Sequence, residues 1–323
     1  MRRPGGCLIS GEGDEILYFT RICRYGGKTM KKTESQTVKD RRLGLILMIP
    51  IVLVIFVIMG IPLIRAIYWS FTDKVVGSDP NFIGLKNYIG LFQDKVYWKS
   101  LRNTAIYTGG CILAKLLLGL LWAVLLNQDF KGKGFFRTTL LIPWALPGMV
   151  VAMTWRWMYD STYGIINSLL LGSGLVDMPV AWLSNPKIVL YSAMLVNIWR
   201  GVPFFMFSIL GVLQTLDKQV YEAATVDGAG IFKQFWYITL PSIAPVLKVT
   251  TLLSTIWTFN DFENVWLVTG GGPLYASSVI ATYTYDKAFI QNSLGQALSV
   301  ATSVIPILVV MMLIFSYFNK KEQ

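Results

Sequence analysis

Residues 221–241 read YEAATVDGAGIFKQFWYITLP and lie between two hydrophobic segments that are each long enough to span a bilayer. The first part of the stretch favours a helical turn, and Asp227-Gly228 marks a break at which glycine can adopt a positive φ. Beyond the break, apolar residues recur at a spacing of three to four, which predicts a second short helix. Pro241 is suited to open the next long helix, because the first turn tolerates a missing N–H. The stretch therefore predicts an exposed helix–turn–helix knuckle, with a plain polar connection as the alternative.

The composition places the chain in a membrane. Its 323 residues are 54% hydrophobic and only 15% charged, with a mean hydropathy of +0.53. These values are too apolar for a soluble globular domain and indicate an integral membrane protein surrounded by lipid. The net charge of +11 could suggest nucleic-acid binding, but the charges lie at the ends of apolar runs. That placement is typical of membrane topology, so we expect no nucleic-acid partner.

Few residues are suited to catalysis or to metal binding. The chain has no histidine, which removes the commonest general base and metal ligand. The three cysteines, Cys7, Cys23 and Cys111, have no metal-site spacing. We therefore expect a protein that is not an enzyme, with no metal site and no catalytic residues.

Hydrophobic runs predict an all-α polytopic membrane protein with six transmembrane helices. The spans are expected at about 43–64, 101–126, 138–159, 188–213, 245–268 and 294–318. A cluster of Lys and Arg residues between positions 31 and 42 precedes the first span and places the N-terminus in the cytoplasm. With six spans the C-terminus is cytoplasmic as well, and so is the knuckle.

The spans also define the domain organisation. Residues 1–42 are expected to form a cytoplasmic tail, 43–318 the transmembrane domain with the knuckle at about 217–241, and 319–323 a second tail. The first 29 residues differ in character from the rest of the chain, and a true start at Met30 would explain this difference. The sequence shows no internal repeat and no linker to a second domain.

The knuckle also resembles a known signature. EAA at 222–224, DGA at 227–229 and ITLP at 238–241 resemble the cytoplasmic signature loop of membrane subunits in binding-protein-dependent ABC importers. Further stretches resemble the sugar-importing branch of that family over about 43–318. These stretches are GLKNY at 84–88, IPW at 142–144, WRW at 155–157, WRGVPF at 199–204 and TGGGP at 269–273.

The resemblance implies a type I ABC importer permease fold in a bacterial inner membrane. It implies a second permease subunit, a separate dimer of ATP-binding subunits, an extracytoplasmic solute-binding protein and a sugar substrate. ATP would be bound by the partner subunit, so no cofactor is expected in this chain. The residues that the resemblance assigns to coupling with the ATPase are Glu222, Ala223, Ala224, Asp227, Gly228 and Ala229.

Polar residues interrupt the fifth predicted span in its outer half. A lipid-facing helix would not carry two acids and two amides there, so this face must be shielded or wet. Hydrogen-bonding groups beside aromatic rings also suit a sugar, and packing against a partner is the alternative. The candidate substrate-pathway residues are Asn260, Asp261, Glu263 and Asn264. Lys115 lies deep in the second span and Arg200 deep in the fourth. Each is either a pathway residue or a member of a structural pair, and these two interpretations stay open.

Three alternatives to a sugar importer remain open. A permease of the same class for another small solute would share most of the motifs. A secondary transporter would often show paired repeats with broken helices, which are not visible. A membrane enzyme is disfavoured by the missing histidines.

Overall fold

The computed structural model describes Gly44 and residues 46–320. The predicted tail 1–42, the alternative start at Met30 and the last three residues lie outside the described residues. The described residues are helical apart from loops and one isolated bridge between Thr72 and Phe82. The all-α prediction is therefore confirmed.

The helices follow one another with short connections. Helix α1 (Ile46–Ser70) contains the boundary, after Arg65, between the two units into which the chain divides. The helices after it are α2 (Lys86–Gln93), α3 (Lys95–Asn127), α4 (Lys133–Ala145), α5 (Gly148–Met158), α6 (Ile165–Gly172), α7 (Val189–Leu213), α8 (Lys218–Val226), α9 (Ile231–Phe259), α10 (Phe262–Thr269), α11 (280–290), α12 (Leu294–Ser303) and α13 (Ile305–Lys320).

The number of spans agrees with the six predicted if the bent helix pair counts as one span. Within the described residues, five helices are long and apolar enough to cross a membrane, and a bent helix pair makes a sixth if it counts as one span. The five are α1, α3, α7, α9 and the segment Leu294–Leu313, and the bent pair is α4 with α5.

The third span differs from the single helix expected at 138–159. It begins at Lys133 and bends by 94° between α4 and α5. Leu146 is extended, with ψ 142°, and Pro147 follows it. The break arises because a residue before proline avoids the α region and proline has no N–H to continue the helix.

The fifth span also differs, since two helices replace the one expected at 245–268. Helix α9 begins at Ile231, so the predicted short helix after the knuckle is its first part. A single π turn over Phe235–Thr239 precedes Pro241, and the helix continues past the proline. Helix α9 ends at Phe259, and Asp261 starts α10 by accepting a hydrogen bond from the Asn264 N–H at 3.2 Å.

Helices α3 and α7 form the centre of the second unit. Glycine allows the close approach, because a Cβ added at Gly119 would collide with Cβ of Phe205. Lipid tails are as apolar as these side chains, so van der Waals packing rather than removal from water stabilises the pair. The buried residues of this cluster are Ala123, Leu126, Phe205, Met206, Ile209, Leu210, Leu213 and Ile243.

The GLKNY segment fastens the end of α1 to later helices. Asn87 is buried and donates from Nδ2 to the carbonyls of Ser70 and Thr72, at 2.9 and 2.7 Å. The Tyr88 hydroxyl lies 2.7 Å from Oγ of Ser70 and 2.8 Å from Oγ1 of Thr302. These contacts explain the Asn and the Tyr of the segment as structural residues.

Asp94 connects the start of α3 to α11. Its carboxylate accepts from the Val96 N–H at 2.8 Å and from the Tyr283 hydroxyl, and Nζ of Lys287 lies 3.5 Å away. Partial burial raises the pKa of Asp94, but these hydrogen bonds and the lysine charge together outweigh it and hold the pKa below its usual value. The ionised carboxylate therefore stabilises this junction at neutral pH.

Candidate functional site

A cavity of about 270 Å³ lies where the bend of the third span meets α3, α7 and the break between α9 and α10. It joins residues that are distant in sequence but belong to the two interrupted spans and their neighbours. Its polar and charged lining residues are Lys115, Asn197, Arg200, Ser254, Thr258, Asp261, Glu263 and Asn264.

Asp261 is the centre of a hydrogen-bond network. Its Oδ2 accepts from the Tyr107 hydroxyl and from Nδ2 of Asn197, both at 2.6 Å. Nδ2 of Asn264 donates to the Tyr107 hydroxyl at 2.7 Å and to the Ala193 carbonyl at 3.0 Å. Charge-assisted bonds of this kind are strong in a low-dielectric interior, so the network fixes α10 against α3 and α7.

Asn197 keeps one acceptor available. Its Oδ1 is buried and has no hydrogen-bond partner within the described part of the chain. A buried polar atom without a partner is costly, and a ligand hydroxyl or a water molecule in the cavity would satisfy it.

Lys115 is the buried cation of the site. It is 3% exposed, and its Nζ donates to Oγ1 of Thr258 at 3.0 Å. Gly201 makes room for it, because an added Cβ there would collide with Cε of the lysine. Lys115 therefore faces the interior between α3, α7 and α9.

The side chains of Arg200 and Glu263 both approach Gly148, the first residue of α5. A Cβ added at Gly148 would lie 2.8 Å from Nη1 of Arg200 and 2.5 Å from Oε2 of Glu263. Arg200 has no hydrogen bond or ion pair to another described residue, so its guanidinium retains free donors at the cavity wall. The carboxylate beside the first turn of α5 is favoured by the helix dipole.

Aromatic rings complete the lining. Trp144, Phe204 and Trp257 all line the cavity, and the rings of Phe204 and Trp257 lie 5.2 Å apart between centroids. The site thus combines apolar ring faces with hydrogen-bond donors and acceptors. Among the described residues, no group of three or more His, Cys, Asp or Glu side chains could hold a metal ion.

The structure places the predicted pathway residues in two groups. Asp261, Glu263 and Asn264 line the cavity together with Lys115 and Arg200. Asn260 does not line it, because its side chain is exposed and donates back to the Ile256 carbonyl at 2.9 Å.

Sequence reasoning missed two members of the site, Tyr107 and Asn197. Both are polar residues inside apolar spans, and this is the signal that could have identified them.

The knuckle forms a second candidate site, for a protein partner. After α8, the N–H groups of Gly228 and Ala229 donate to the carbonyls of Thr225 and Ala224, at 3.0 and 2.8 Å. This is the hydrogen-bond pattern of a Schellman motif, and Gly228 has the φ of +76° that the motif requires. The break predicted at Asp227-Gly228 is therefore present.

Side chains hold the knuckle against the start of α9. Nε2 of Gln234 donates to Oγ1 of Thr225 and to the Ala229 carbonyl, both at 2.9 Å. The Tyr221 hydroxyl lies 3.0 Å from Oγ1 of Thr239. These hydrogen bonds hold the turn in a single conformation.

The outer face of the knuckle is exposed and partly apolar. Glu222, Ala223, Asp227 and Gly228 are exposed, whereas Ala224 and Ala229 are partly buried. Large apolar residues beside them are also exposed, namely Val226, Ile231, Phe232, Trp236 and Tyr237. An exposed apolar patch with a polar rim is typical of an interaction surface.

Comparisons with known proteins identify a family and two similar permeases. A family profile described as "Binding-protein-dependent transport system inner membrane component" matches residues 115–323. The trehalose/maltose transport system permease protein MalF of Thermococcus litoralis is 32% identical over 276 residues, which cover 84% of this chain and 92% of that protein. The sulfoquinovosyl glycerol transport system permease protein SmoG of Agrobacterium fabrum is 33% identical over 265 residues, or 81% of this chain and 85% of that one.

A solved structure shares the fold. It is a chain of a bacterial ABC transporter involved in the import of the acidic polysaccharide alginate, with a TM-score of 0.77 and 21% identity. The match covers 89% of this chain and 98% of the other. The predicted importer permease fold is thereby confirmed.

Proposed function

The chain belongs to the family of binding-protein-dependent transport system inner membrane components, and we propose that it is the permease subunit of an ATP-driven importer of a carbohydrate. Its helices cross the inner membrane several times, and the proposed topology places both termini and the knuckle in the cytoplasm. ATP is hydrolysed by a separate subunit in this proposal, and this chain binds no cofactor.

The observation that carries the carbohydrate assignment is the composition of the cavity. Trp144, Phe204 and Trp257 offer ring faces for the C–H surface of a sugar ring. Oδ1 of Asn197 and the guanidinium of Arg200 offer free hydrogen-bonding groups for its hydroxyls. The names of the trehalose/maltose and sulfoquinovosyl glycerol relatives support the same substrate class.

The charges that line the cavity narrow the class of sugar that it can bind. Lys115 and Arg200 are balanced by Asp261 and Glu263, so the lining has no net formal charge. We infer from this balance that the sugar is uncharged, since an acidic sugar would require an excess of cations.

A second permease subunit would complete the site. The cavity of about 270 Å³ lies just below the roughly 300–1,000 Å³ of small-molecule sites. This size supports a pathway shared between two related subunits. A soluble binding protein delivers the sugar in this proposal. The alginate ABC transporter has been solved in complex with an alginate pentasaccharide-bound periplasmic protein, which supports this role.

The knuckle is the proposed docking site for the ATPase subunit. Its shape is fixed by the Schellman turn and by Gln234, and its exposed face is apolar with a polar rim. Such a surface can transmit movement of a partner to the helices that come after it, of which α9 reaches the cavity. Glu222, Ala223, Ala224, Asp227, Gly228 and Ala229 are the proposed contact residues.

A sugar panel tests the proposal. The complex would be reconstituted with its second permease, its ATPase and its binding protein, and uptake of neutral and acidic sugars would be measured. Trp257→Leu should raise the sugar concentration for half-maximal uptake, because it removes a ring face from the cavity. Trp157→Leu is the matched control, since Trp157 is 73% exposed and does not line the cavity. Equal effects of the two variants would contradict the cavity as the sugar site.

A further inference from the structure

Arg137 joins the ends of three helices. It lies in the second turn of α4, and its Nη2 donates to the Leu126 carbonyl, in the last turn of α3, at 3.0 Å. With the amide of Gln214 oriented so that its oxygen faces the guanidinium, that oxygen accepts from Nη2 at 2.6 Å and from Nη1 at 3.0 Å. Gln214 is the C-cap of α7, so one cation contacts the carboxyl ends of both α3 and α7.

The physical chemistry of this contact favours a rigid joint. The last carbonyls of a helix have no partner within the helix, and the helix dipole attracts a cation there. A guanidinium has a planar fork that can hold two acceptors at once, which a lysine ammonium cannot do in the same geometry. Nε of Arg137 is buried without a partner among the described residues, so the two Nη groups make the contacts.

Arg137 shares one face of α4 with two residues that reach the cavity. Leu140 packs on the buried cluster between α3 and α7, and Trp144 lines the cavity. Steps of three and four residues place Arg137, Leu140 and Trp144 in a row along the helix. If α4 moves as a rigid body, a displacement of its Arg137 end would reach the cavity wall at Trp144.

The other side of the joint leads to the knuckle. Gln214 is three residues before Asp217, the N-cap of α8, which accepts from the Gln219 N–H at 2.9 Å. The path from α8 through Gln214 and Arg137 to Trp144 thus consists of short links between rigid helices.

We propose that Arg137 is a positioning residue that couples the knuckle to the broken third span. It makes α4 move together with the ends of α3 and α7, so that a shift of α8 changes the cavity wall at Trp144. This inference rests on the proposed function, because it requires an ATPase that displaces α8.

The test is the ratio of sugar transported to ATP hydrolysed in the reconstituted complex. Arg137→Gln should lower this ratio about tenfold, the change that loss of a charge-assisted hydrogen bond makes in an equilibrium. ATP hydrolysis stimulated by the binding protein should persist, because the knuckle itself is unchanged. In Arg137→Lys this ratio should lie between those of the wild type and Arg137→Gln, because lysine keeps the charge but lacks the planar fork of the guanidinium.

Gln214 provides an independent pair of variants. Gln214→Glu keeps an acceptor for the guanidinium and should keep the wild-type ratio, whereas Gln214→Leu should lower it like Arg137→Gln. Lys131→Gln is the matched control, because it removes an exposed cation from the same connection between α3 and α4.

Three outcomes separate the alternatives. A wild-type ratio in Arg137→Gln or in Gln214→Leu would overturn the proposal. A parallel fall of uptake, ATP hydrolysis and protein yield in both variants would assign a purely structural role to the joint, and this too would overturn it. Absence of stimulated ATP hydrolysis in the wild-type complex would instead refute the proposed function.

Discussion

Replacing Gly228 tests whether the backbone shape of the knuckle transmits the work of the ATPase. Gly228 has a φ of +76°, and a Cβ added there would have no atom of the described residues within 4 Å apart from its chain neighbours. Gly228→Ala therefore adds no clash with the described residues, and its cost is that of the left-handed backbone, about 1–2 kcal/mol. That cost changes the ratio of correctly shaped to altered knuckles by roughly 5- to 30-fold.

The assay is ATP hydrolysis stimulated by the loaded binding protein, together with sugar uptake, in reconstituted vesicles. Gly228→Ala should lower both by a factor within that range, and Gly228→Val, which adds a β-branched side chain, should abolish them. Gly230→Ala is the matched control, because Gly230 has a φ of −68° and also has no atom within 4 Å of an added Cβ. It adds the same methyl group to the same knuckle without the backbone cost.

Co-purification of the ATPase subunit and insertion of the chain are measured in parallel. Both should be normal in Gly230→Ala, and insertion should be normal in all three variants. Wild-type stimulation in Gly228→Val, or equal losses in Gly228→Ala and Gly230→Ala, would refute the reasoning from the turn.

Three further predictions concern the cavity and the contacts that stabilise the helices around it. Asp261→Ala leaves three donors without their acceptor, at about 1–3 kcal/mol each, so uptake and melting temperature should fall, whereas Asn260→Ala should keep both because Asn260 lies outside the cavity. Gly201→Ala places a methyl group against the buried lysine and should cost about 1–3 kcal/mol of stability, whereas Gly211→Ala, with open space in the same helix, should cost less. Asp94 has a lowered pKa, so its stabilising effect is complete above its unfolded pKa and is lost as the pH falls through the folded value. Asp94→Asn should therefore reduce the acid dependence of the melting temperature.

Each of these predictions has a contradicting result. Equal losses of uptake and melting temperature in Asn260→Ala and Asp261→Ala would show that transport does not depend on the hydrogen-bond network of Asp261. An unchanged melting temperature in Gly201→Ala would show that the lysine can move without cost, and an unchanged acid profile in Asp94→Asn would assign the pH dependence elsewhere.

The sequence predicted the number of spans well, because a long apolar run has few alternatives in a bilayer. It predicted the breaks poorly. Pro143, Pro203 and Pro245 lie inside helices, whereas Pro147 interrupts one. The four prolines look alike in sequence, and only the packing around each decides whether the helix continues.

The sequence predicted only part of the candidate site, because packing between helices again decides the rest. Two acids in the fifth span indicated a shielded face, and Asp261 and Glu263 indeed line the cavity. Periodicity alone could not separate Asn260 from them, because α9 ends at Phe259, just before that residue, and α10 begins only at Phe262. The partners Tyr107 and Asn197 come from other helices, and no local pattern connects them to Asp261.

The most direct test of the proposed function is sugar accumulation in sealed vesicles that contain the purified complex. ATP is supplied on the side of the ATPase subunits and the loaded binding protein on the opposite side. An ATP-driven importer accumulates sugar against a gradient only when both are present, and accumulation should be strongly reduced in Gly228→Val. Accumulation driven by an ion gradient, with this chain alone and no ATP, would contradict the proposal.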